Sequence, residues 1–478
     1  MNILLQKSVA ISSANVAVVL EKAGEKGWEL FTEAEQNYAL LRKEAGDTTV
    51  SFNRYGNWFS LVFAKTDKSE SAVLESIRKE GSGLQATLSK TKAAELCIVS
   101  SLDKKYILAF AEGIVLADYK FVKYFSKKDE KISSLSRIEV LSETINEADI
   151  NEFTNICDAV CLARDLVNEP ASFLTAVELA NQISLMGEKA GFSVEVFHKT
   201  KIEALKMGGL LAVNQGSTQE PTFSVLEYKP ANAVNKKPYV LVGKGLVYDT
   251  GGLSLKPTPD SMDYMKCDMA GGAAVASTLY AIASNKLPVY VIGLVPSTDN
   301  RIDANSYSPG DVITMFDGTT VEMLNADAEG RMILADALSY AKKFDPELVI
   351  NMATLTGAAA AAIGSLGFVA MANDEAADAM LKLRESGMRT FERIAEFPFW
   401  DDYKEMIKSD IADLKNIGGK YAGSITAGKF LEHFTKYPFV HFDIAGPAFL
   451  KSNDAYRKKG GSGVCVRLLY DFFRNIGK

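Results

Sequence analysis

Histidine and cysteine are scarce in this sequence of 478 residues. The three histidines are His198, His433 and His441, too few and too scattered for a histidine-based metal site. The five cysteines form no CxxC pair, and their odd number favours reduced thiols in a cytosol. Cys157 and Cys161, four apart on a predicted helix, are interpreted as packing residues.

Long apolar runs and an excess of basic residues are also missing. No stretch of about 18 apolar residues predicts a membrane helix, and the segment "MNILLQKSVAISSANVAVVL" lacks the basic and apolar regions of a signal peptide. The net charge of −7 and the pI near 5.4 disfavour nucleic acid as a partner, although a local basic patch stays open. We therefore expect a cytoplasmic protein with no membrane partner.

The composition, 47% apolar and 24% charged with 13 prolines, is that of a globular protein. Because one hydrophobic core stops growing near roughly 250–300 residues, we expect two domains. The predicted divisions are an N-terminal α/β domain over 1–145, a linking helix over 146–170 and a larger α/β domain over 171–478.

Strand-like and helix-like patterns alternate along both predicted domains. In the first, strands are predicted at 50–66 and 94–100, helices at 69–81 and 104–121, and a surface loop at 125–137. In the second, strands are predicted at 238–243, 288–295, 348–353, 367–372 and 438–443, and helices at 271–285, 332–343, 376–388 and 463–474. Such alternation is typical of an α/β fold with a central, mostly parallel sheet covered by helices.

Charged residues follow the first strand of the larger domain in "VLVGKGLVYDTGGLSLKP" (240–257). Lys244, Asp249 and Lys256 lie within a dozen residues of its carboxyl end, where α/β folds place ligand sites. Asp268 follows shortly, before Gly271 and a predicted helix.

A second cluster occurs in "LNADAEGRMILADAL" (324–338). In an extended segment Asp327, Glu329 and Arg331 would share one face, ahead of a helix beginning near Arg331. The helix itself is predicted to bury a stripe formed by Leu334, Ala337, Leu338 and Ala341.

Carboxylates that converge on one cleft repel each other and need a compensating charge. Divalent metal is the usual one, and an oxygen-rich site suits Mn²⁺, Mg²⁺ or Zn²⁺. For either motif alone, a solvated charged surface is the alternative interpretation. The glycine-flanked lysine and acids after a buried strand favour the site, since surface charge does not need that backbone.

Several motifs in this order resemble the leucyl aminopeptidase family, the M17-type cytosol aminopeptidases. They are "VGKGLVYDTGGLSLKP", "MKCDMAGGAAV" and "NADAEGRMILADAL", supported by "NMATLTGAAAAAIG" and "HFDIAGPAF". The resemblance runs from about residue 104 to the C-terminus. Ala326 and Met332 stand where the family's signature usually has threonine and leucine.

The resemblance implies a role for each matching residue. Lys244, Asp249, Asp268 and Glu329 match the ligands of a tighter metal site, with a neutral Lys244 amine. Asp249, Asp327 and Glu329 match those of a second, more exchangeable site. Lys256 matches the residue that stabilises the oxyanion, and Arg331 the residue that holds a bicarbonate as general base. The substrate site is matched by Met265, Asn325, Thr354, Leu355 and Gly357.

The implied activity is metal-dependent release of N-terminal amino acids, leucine and other apolar residues preferred, by attack of a water activated by two ions. The ions would be Zn²⁺ or Mn²⁺, with Mg²⁺ as a further candidate. Peptides with a free N-terminus are the expected substrates, and a homohexamer is the implied assembly.

The sequence also leaves two alternative interpretations. A DNA-binding or regulatory role of the N-terminal domain would stand beside peptidase activity. A nucleotide-binding role would rest on "GSITAGKF" (423–430), nearly a P-loop, but Phe430 occupies the place of the Ser or Thr that would hold Mg²⁺.

Overall fold

A computed structural model describes residues 3–65 and 68–477. The chain divides into two compact units, an N-terminal unit of residues 1–161 with 452–459, and a C-terminal unit of residues 162–451 with 460–478. The expected two-domain α/β fold is confirmed. The domain limits drawn from the sequence stay predictions.

The N-terminal unit contains one mixed sheet and its helices. The strands are β1 (Leu4–Lys7), β2 (Val16–Leu20), β3 (Thr49–Arg54), β4 (Asn57–Phe63), β5 (Glu95–Val99) and β6 (Arg137–Leu141). The helices are α1 (Glu33–Glu44), α2 (Glu70–Lys90), α3 (Lys104–Asp118) and α4 (Glu147–Asn168), the last ending in the C-terminal unit. The sheet order is β1-β6-β5-β2-β4-β3, parallel except for the edge strand β3.

A hairpin replaces the single strand region predicted over 50–66, whose last residue lies outside the described residues. Tyr55 and Gly56 join β3 to β4, and both have positive φ, 56° and 100°. Two such residues form the tight turn that suits the twist of antiparallel strands. Gly56 is a turn signal between two β-rich runs, and the prediction of one strand region passed over it.

The C-terminal unit carries the longer list of elements. Its strands are β7 (Ser193–Phe197), β8 (Thr222–Tyr228), β9 (Tyr239–Gly243), β10 (Gly245–Asp249), β11 (Val291–Asn300), β12 (Asp311–Thr314), β13 (Thr320–Met323), β14 (Leu348–Ala353), β15 (Phe368–Ala372), β16 (Ile394–Glu396), β17 (Leu414–Lys415), β18 (Phe439–Asp443), β19 (Phe449–Leu450) and β20 (Gly460–Gly461). Its helices are α5 (Ala176–Ala190), α6 (Lys199–Ala204), α7 (Gly208–Asn214), α8 (Ala270–Ser284), α9 (Glu329–Ala341), α10 (Gly357–Ile363), α11 (Ala377–Thr390), α12 (Gly423–His433) and α13 (Val466–Ile476).

The main sheet of this unit has nine strands in the order β16-β15-β18-β14-β9-β11-β8-β7, with β10 pairing to β11. The central strands β18, β14, β9 and β11 run parallel, and β8 and β7 complete one edge antiparallel. Every residue of β11 and β14 is buried, as expected of strands covered on both faces. The predicted, mostly parallel central sheet is therefore confirmed.

The carboxyl ends of the central strands meet at one edge of the sheet. Lys244 follows β9, Asp249 ends β10, Thr354 follows β14 and Asp443 ends β18. The first turn of helix α8 packs directly against the strand ends at this edge, because the helix begins with small residues. A Cβ on Gly271 would lie 2.1 Å from the Met352 carbonyl oxygen, so only glycine permits that approach.

Helix α9 departs from two expectations. Glu329 and Arg331 lie in its first turn, so the extended segment predicted through them was wrong. All of its residues are buried, which replaces the single predicted stripe. Its polar face is buried too, with Asp336 accepting from the Leu210 N–H (2.9 Å) and the Phe316 N–H (2.9 Å), and a one-face apolar pattern cannot predict such partners.

The nucleotide-binding alternative loses its structural basis. The segment 423–430 lies within α12, whereas a P-loop is an open loop before a helix. Lys429 is buried there and pairs with Asp401 (3.1 Å) and Glu432 (2.9 Å). Its ammonium is therefore a structural charge.

The five cysteines, all within the described residues, are buried and free of disulfides. Among residues 3–65 and 68–477, none of the helices combines the length and apolar character needed to cross a membrane.

Candidate metal centre and peptidase site

Four buried side chains form the enclosed half of the site: Lys244, Asp268, Glu329 and Asp249. The Lys244 Nζ lies 2.8 Å from Asp268 Oδ2 and 2.9 Å from Glu329 Oε1. It also donates to the Thr354 carbonyl oxygen at 3.1 Å. One carboxylate oxygen from each of the three acids lies within 4.8 Å of the others, as a shared cation would require.

The open half is formed by Lys256 and Asp327, with Asp249 common to both halves. The Lys256 Nζ lies 2.8 Å from Asp249 Oδ2 and 2.5 Å from Asp327 Oδ1. The other Asp249 oxygen accepts from the Gly251 N–H (2.8 Å) and Asn300 Nδ2 (2.9 Å). Asp249 is thus fixed between the two halves.

Arg331 borders both halves from the first turn of α9. Its Nη1 donates to the Asn416 carbonyl oxygen at 2.7 Å, while its buried Nε has no hydrogen-bond partner among the described residues. Burial lowers the pKa of Arg331 to about 10, which still leaves it charged at neutral pH. A cation with an unused donor beside a helix N-terminus can bind an anion.

A pocket of about 290 Å³ collects every site residue that the sequence predicted. They are Lys244, Asp249, Lys256, Met265, Asp268, Asn325, Asp327, Glu329, Arg331, Thr354, Leu355 and Gly357. Thr354 also bonds a carboxylate, since its Oγ1 donates to Asp268 Oδ1 at 2.7 Å. Ala360, from the alanine run that follows Gly357, lines the pocket as well. So do Tyr264, Ile417 and Ala445, which the sequence did not single out.

The charged groups in the pocket shift one another's pKa values. Burial, reinforced by the charge of Asp249, raises the pKa of Glu329, Asp268 and Asp327. Burial alone would lower the pKa of Lys244, but the charges of Asp268, Glu329 and Asp249 outweigh it, and the pKa is raised. A cation bound among the acids would compete with the Lys244 proton, which is the condition for the neutral amine that the resemblance implies.

Three buried polar residues behind the pocket were missed from the sequence. Asn300 bonds Asp249 and also donates to the Ala326 carbonyl oxygen (3.0 Å). Asn416 contacts the segment that carries Asp327. Asp443 accepts from the Thr356 Oγ1 (2.6 Å) and the Leu355 N–H (3.2 Å), holding the pocket wall. Each is distant in sequence from its partners, and although Asp443 lies within "HFDIAGPAF", no local spacing indicates its role or that of the two asparagines.

The donor set fits divalent cations. The acids supply only oxygen, and the buried Glu329 Oε2 has no hydrogen-bond partner among the described residues. A buried, unpaired carboxylate oxygen is costly unless a cation or donor binds it. The ion pairs of Lys244 and Lys256 do not include this oxygen, so a bound cation would supply the partner it lacks.

Residues 161–470 match the sequence profile of the "Cytosol aminopeptidase family, catalytic domain". The chain belongs to this family. It is 42% identical over 470 residues to a probable cytosol aminopeptidase of Clostridium tetani, covering 93% of this chain and 95% of the relative. A probable cytosol aminopeptidase of Chloroherpeton thalassium is 46% identical over 350 residues, covering 72% of this chain and 67% of the relative.

Solved structures agree with the family. A mutant of tomato leucine aminopeptidase matches with a TM-score of 0.85 and 27% identity, covering 99% of this chain and 96% of that one. A bottromycin maturation enzyme in complex with Mn matches with a TM-score of 0.85 and 28% identity, covering 98% and 100%. The cytosol aminopeptidase fold and family of this chain support a leucyl aminopeptidase-type hydrolase acting on peptides.

Proposed function

We propose that this aminopeptidase is metal-dependent and removes leucine and other apolar N-terminal residues from peptides, using two divalent ions. The observation that carries the proposal is the clustering of Asp249, Asp268 and Glu329 oxygens within 4.8 Å in a buried pocket. The match to a structure solved with Mn supports divalent ions as a class.

The ligands divide between the two halves of the pocket. Lys244, Asp249, Asp268 and Glu329 would hold one ion, and Asp249, Asp327 and Glu329 the other. Zn²⁺ and Mn²⁺ are the leading candidates for these oxygen-rich sites, followed by Mg²⁺. When bound, the ions would supply Lewis acidity and an activated water, and a bicarbonate on Arg331 would supply a general base.

The chain's own residues complete the chemistry. Lys256, about 13% exposed at its side chain, would turn from the carboxylates to the scissile carbonyl and stabilise the negative charge that develops on its oxygen. Arg331 would hold the anion through its unused Nε donor.

The apolar lining supports the substrate class. Met265, Leu355, Ala360 and Ala445 border the pocket beside the acids, so an apolar first side chain would be buried against them. Asn325 and Gly357, also on the lining, would contact the peptide. A cytoplasmic location is supported by the names of the relatives, and a homohexamer is proposed from the family resemblance alone.

Release of p-nitroaniline from leucine-p-nitroanilide tests the function. Activity is expected to vanish after chelation and to return with Mn²⁺. Turnover that is unaffected by chelation, or absent with every divalent metal, would contradict the proposal.

A further inference from the structure

Asn416 lies wholly buried at the end of the short strand β17, behind the open half of the pocket. Its Oδ1 accepts from the Leu324 N–H at 2.8 Å and from the Asn325 N–H at 3.3 Å. Its Nδ2 donates to the Asn325 carbonyl oxygen at 2.8 Å. One side chain thereby binds the main chain of the segment that leads into Asp327.

The constraint passes from Asn325 to the carboxylate. The Asn325 Oδ1 accepts from the Asp327 N–H at 2.8 Å, and the Asn325 carbonyl oxygen accepts from the Ala328 N–H at 3.1 Å. Fixing the Asn325 backbone therefore fixes the turn that presents Asp327. Asn325 lines the pocket as well.

The main chain of Asn416 holds the other side of the open half. Its carbonyl oxygen accepts from Arg331 Nη1 at 2.7 Å, and its N–H donates to the Glu322 carbonyl oxygen at 3.0 Å, beside the β13–β17 pairing. Asn416 thus connects Arg331 and the Asp327 turn to one small sheet. The acids of the enclosed half are held by other groups. Asp268 contacts Lys244 and Thr354, and Glu329 contacts Lys244.

We propose that Asn416 is a positioning residue that sets the affinity of the open half for its metal ion by holding Asp327 and Asn325. The inference rests on the proposed function, because it assumes that Asp327 is a metal ligand. Other contacts hold the same turn at Ala326, whose N–H donates to Ser254 Oγ and whose carbonyl oxygen accepts from the Tyr307 hydroxyl. Loss of Asn416 would therefore loosen the turn without releasing it.

Calorimetric titration of the metal-stripped protein with Mn²⁺ tests the proposal. Asn416→Ala is expected to lower the affinity for the more weakly bound Mn²⁺ ion by about 10–100-fold, the usual effect of removing a group that orients a ligand. The affinity for the more tightly bound ion should not change. At saturating Mn²⁺ much of the lost peptidase activity should return, which a damaged fold would not allow.

Asn235→Ala is the matched control. Asn235 also makes three side-chain bonds to main chain, to Lys237 and twice to Tyr290, but it does not line the pocket. The Asn235→Ala protein should bind both ions as the unmodified protein does. If Asn416→Ala does not fold, Asn416→Ser, which also removes the amide but keeps a polar side chain, should show the same loss at the weaker ion.

The outcomes separate the two hypotheses. Two ions bound by the unmodified protein, with Asn416→Ala keeping both affinities, would overturn the role of Asn416 and leave the proposed function intact. Fewer than two ions bound by the unmodified protein would overturn the proposed function, and the inference with it.

Discussion

The two halves of the pocket differ in how they are built. In the enclosed half, Lys244 and Glu329 have side chains only 3% and 1% exposed, and they follow a central strand and begin a buried helix. In the open half, Asp327 is 33% exposed and lies in a turn between β13 and α9. A strand and a helix therefore position the residues of the enclosed half, whereas side-chain hydrogen bonds to a turn position Asp327 in the open half. Because the enclosed half is the more rigid, an ion bound there would be held tightly, whereas an ion in the open half would exchange.

The largest effect is expected from Glu329→Gln, which removes an anionic ligand proposed for both ions. Peptidase activity should fall further than for any other single change, and fewer than two Mn²⁺ ions should bind. Glu227→Gln is the control, because Glu227 bonds Tyr290 (2.9 Å) away from the pocket. Two bound ions and full turnover in Glu329→Gln would remove the basis of the comparison.

Lys256→Ala should lower kcat about 10²–10³-fold by removing the charge that stabilises the oxyanion. Metal binding should persist, because Asp249 and Asp327 then lose a competing cation. Lys237→Ala, at an exposed ion pair with Asp345, provides the control. Unchanged turnover would refute the assigned role of Lys256, and lost metal would place it among the structural charges.

Gly330→Ala tests how tightly the enclosed half is packed. A Cβ at this position would lie 2.5 Å from Lys244 Cε and 2.6 Å from its Nζ, so Lys244 must move from between Asp268 and Glu329. We expect the affinity of the enclosed half for its ion to fall about 10–100-fold. Thermal stability should change little, because the preference of alanine over glycine in a helix, about 1 kcal/mol, offsets part of the cost of displacing Lys244. Unaltered affinity would show that the enclosed half tolerates movement.

The smallest effect is expected at the apolar wall, which belongs to neither half. Met265→Ala should reduce the preference for leucine over alanine p-nitroanilide by about tenfold, the value of roughly one or two methylene contacts. Both ions should bind normally. Steady-state kinetics on the two substrates measures this ratio, and a ratio equal to that of the unmodified protein would remove Met265 from the specificity pocket.

The sequence predicted the elements that carry a clear period and the motifs next to them. Strand β14 occurs where it was predicted, and β9, β15 and β18 differ by one residue. The paired edge strands β7 and β8 were missed, as was β10, which ends at Asp249. A short strand beside glycines is hard to distinguish from a loop by periodicity.

The site shows the same limit. The motifs identified the charged residues of the pocket because these lie in three short stretches. They did not identify Asn416, which acts on Arg331 from 85 residues away, or Asn300, which acts on Asp249 from 51 residues away. Such contacts are created by the packing of distant strand ends and leave no pattern in the local sequence.

Anomalous diffraction from crystals soaked in Mn²⁺ would show whether the two halves of the pocket bind one ion each. Two anomalous peaks are expected in the pocket, one among Lys244, Asp249, Asp268 and Glu329, and one among Asp249, Asp327 and Glu329. At lower Mn²⁺ concentration the second peak should weaken first. No peak in the pocket, or peaks only elsewhere on the protein, would contradict the binding of one ion by each half.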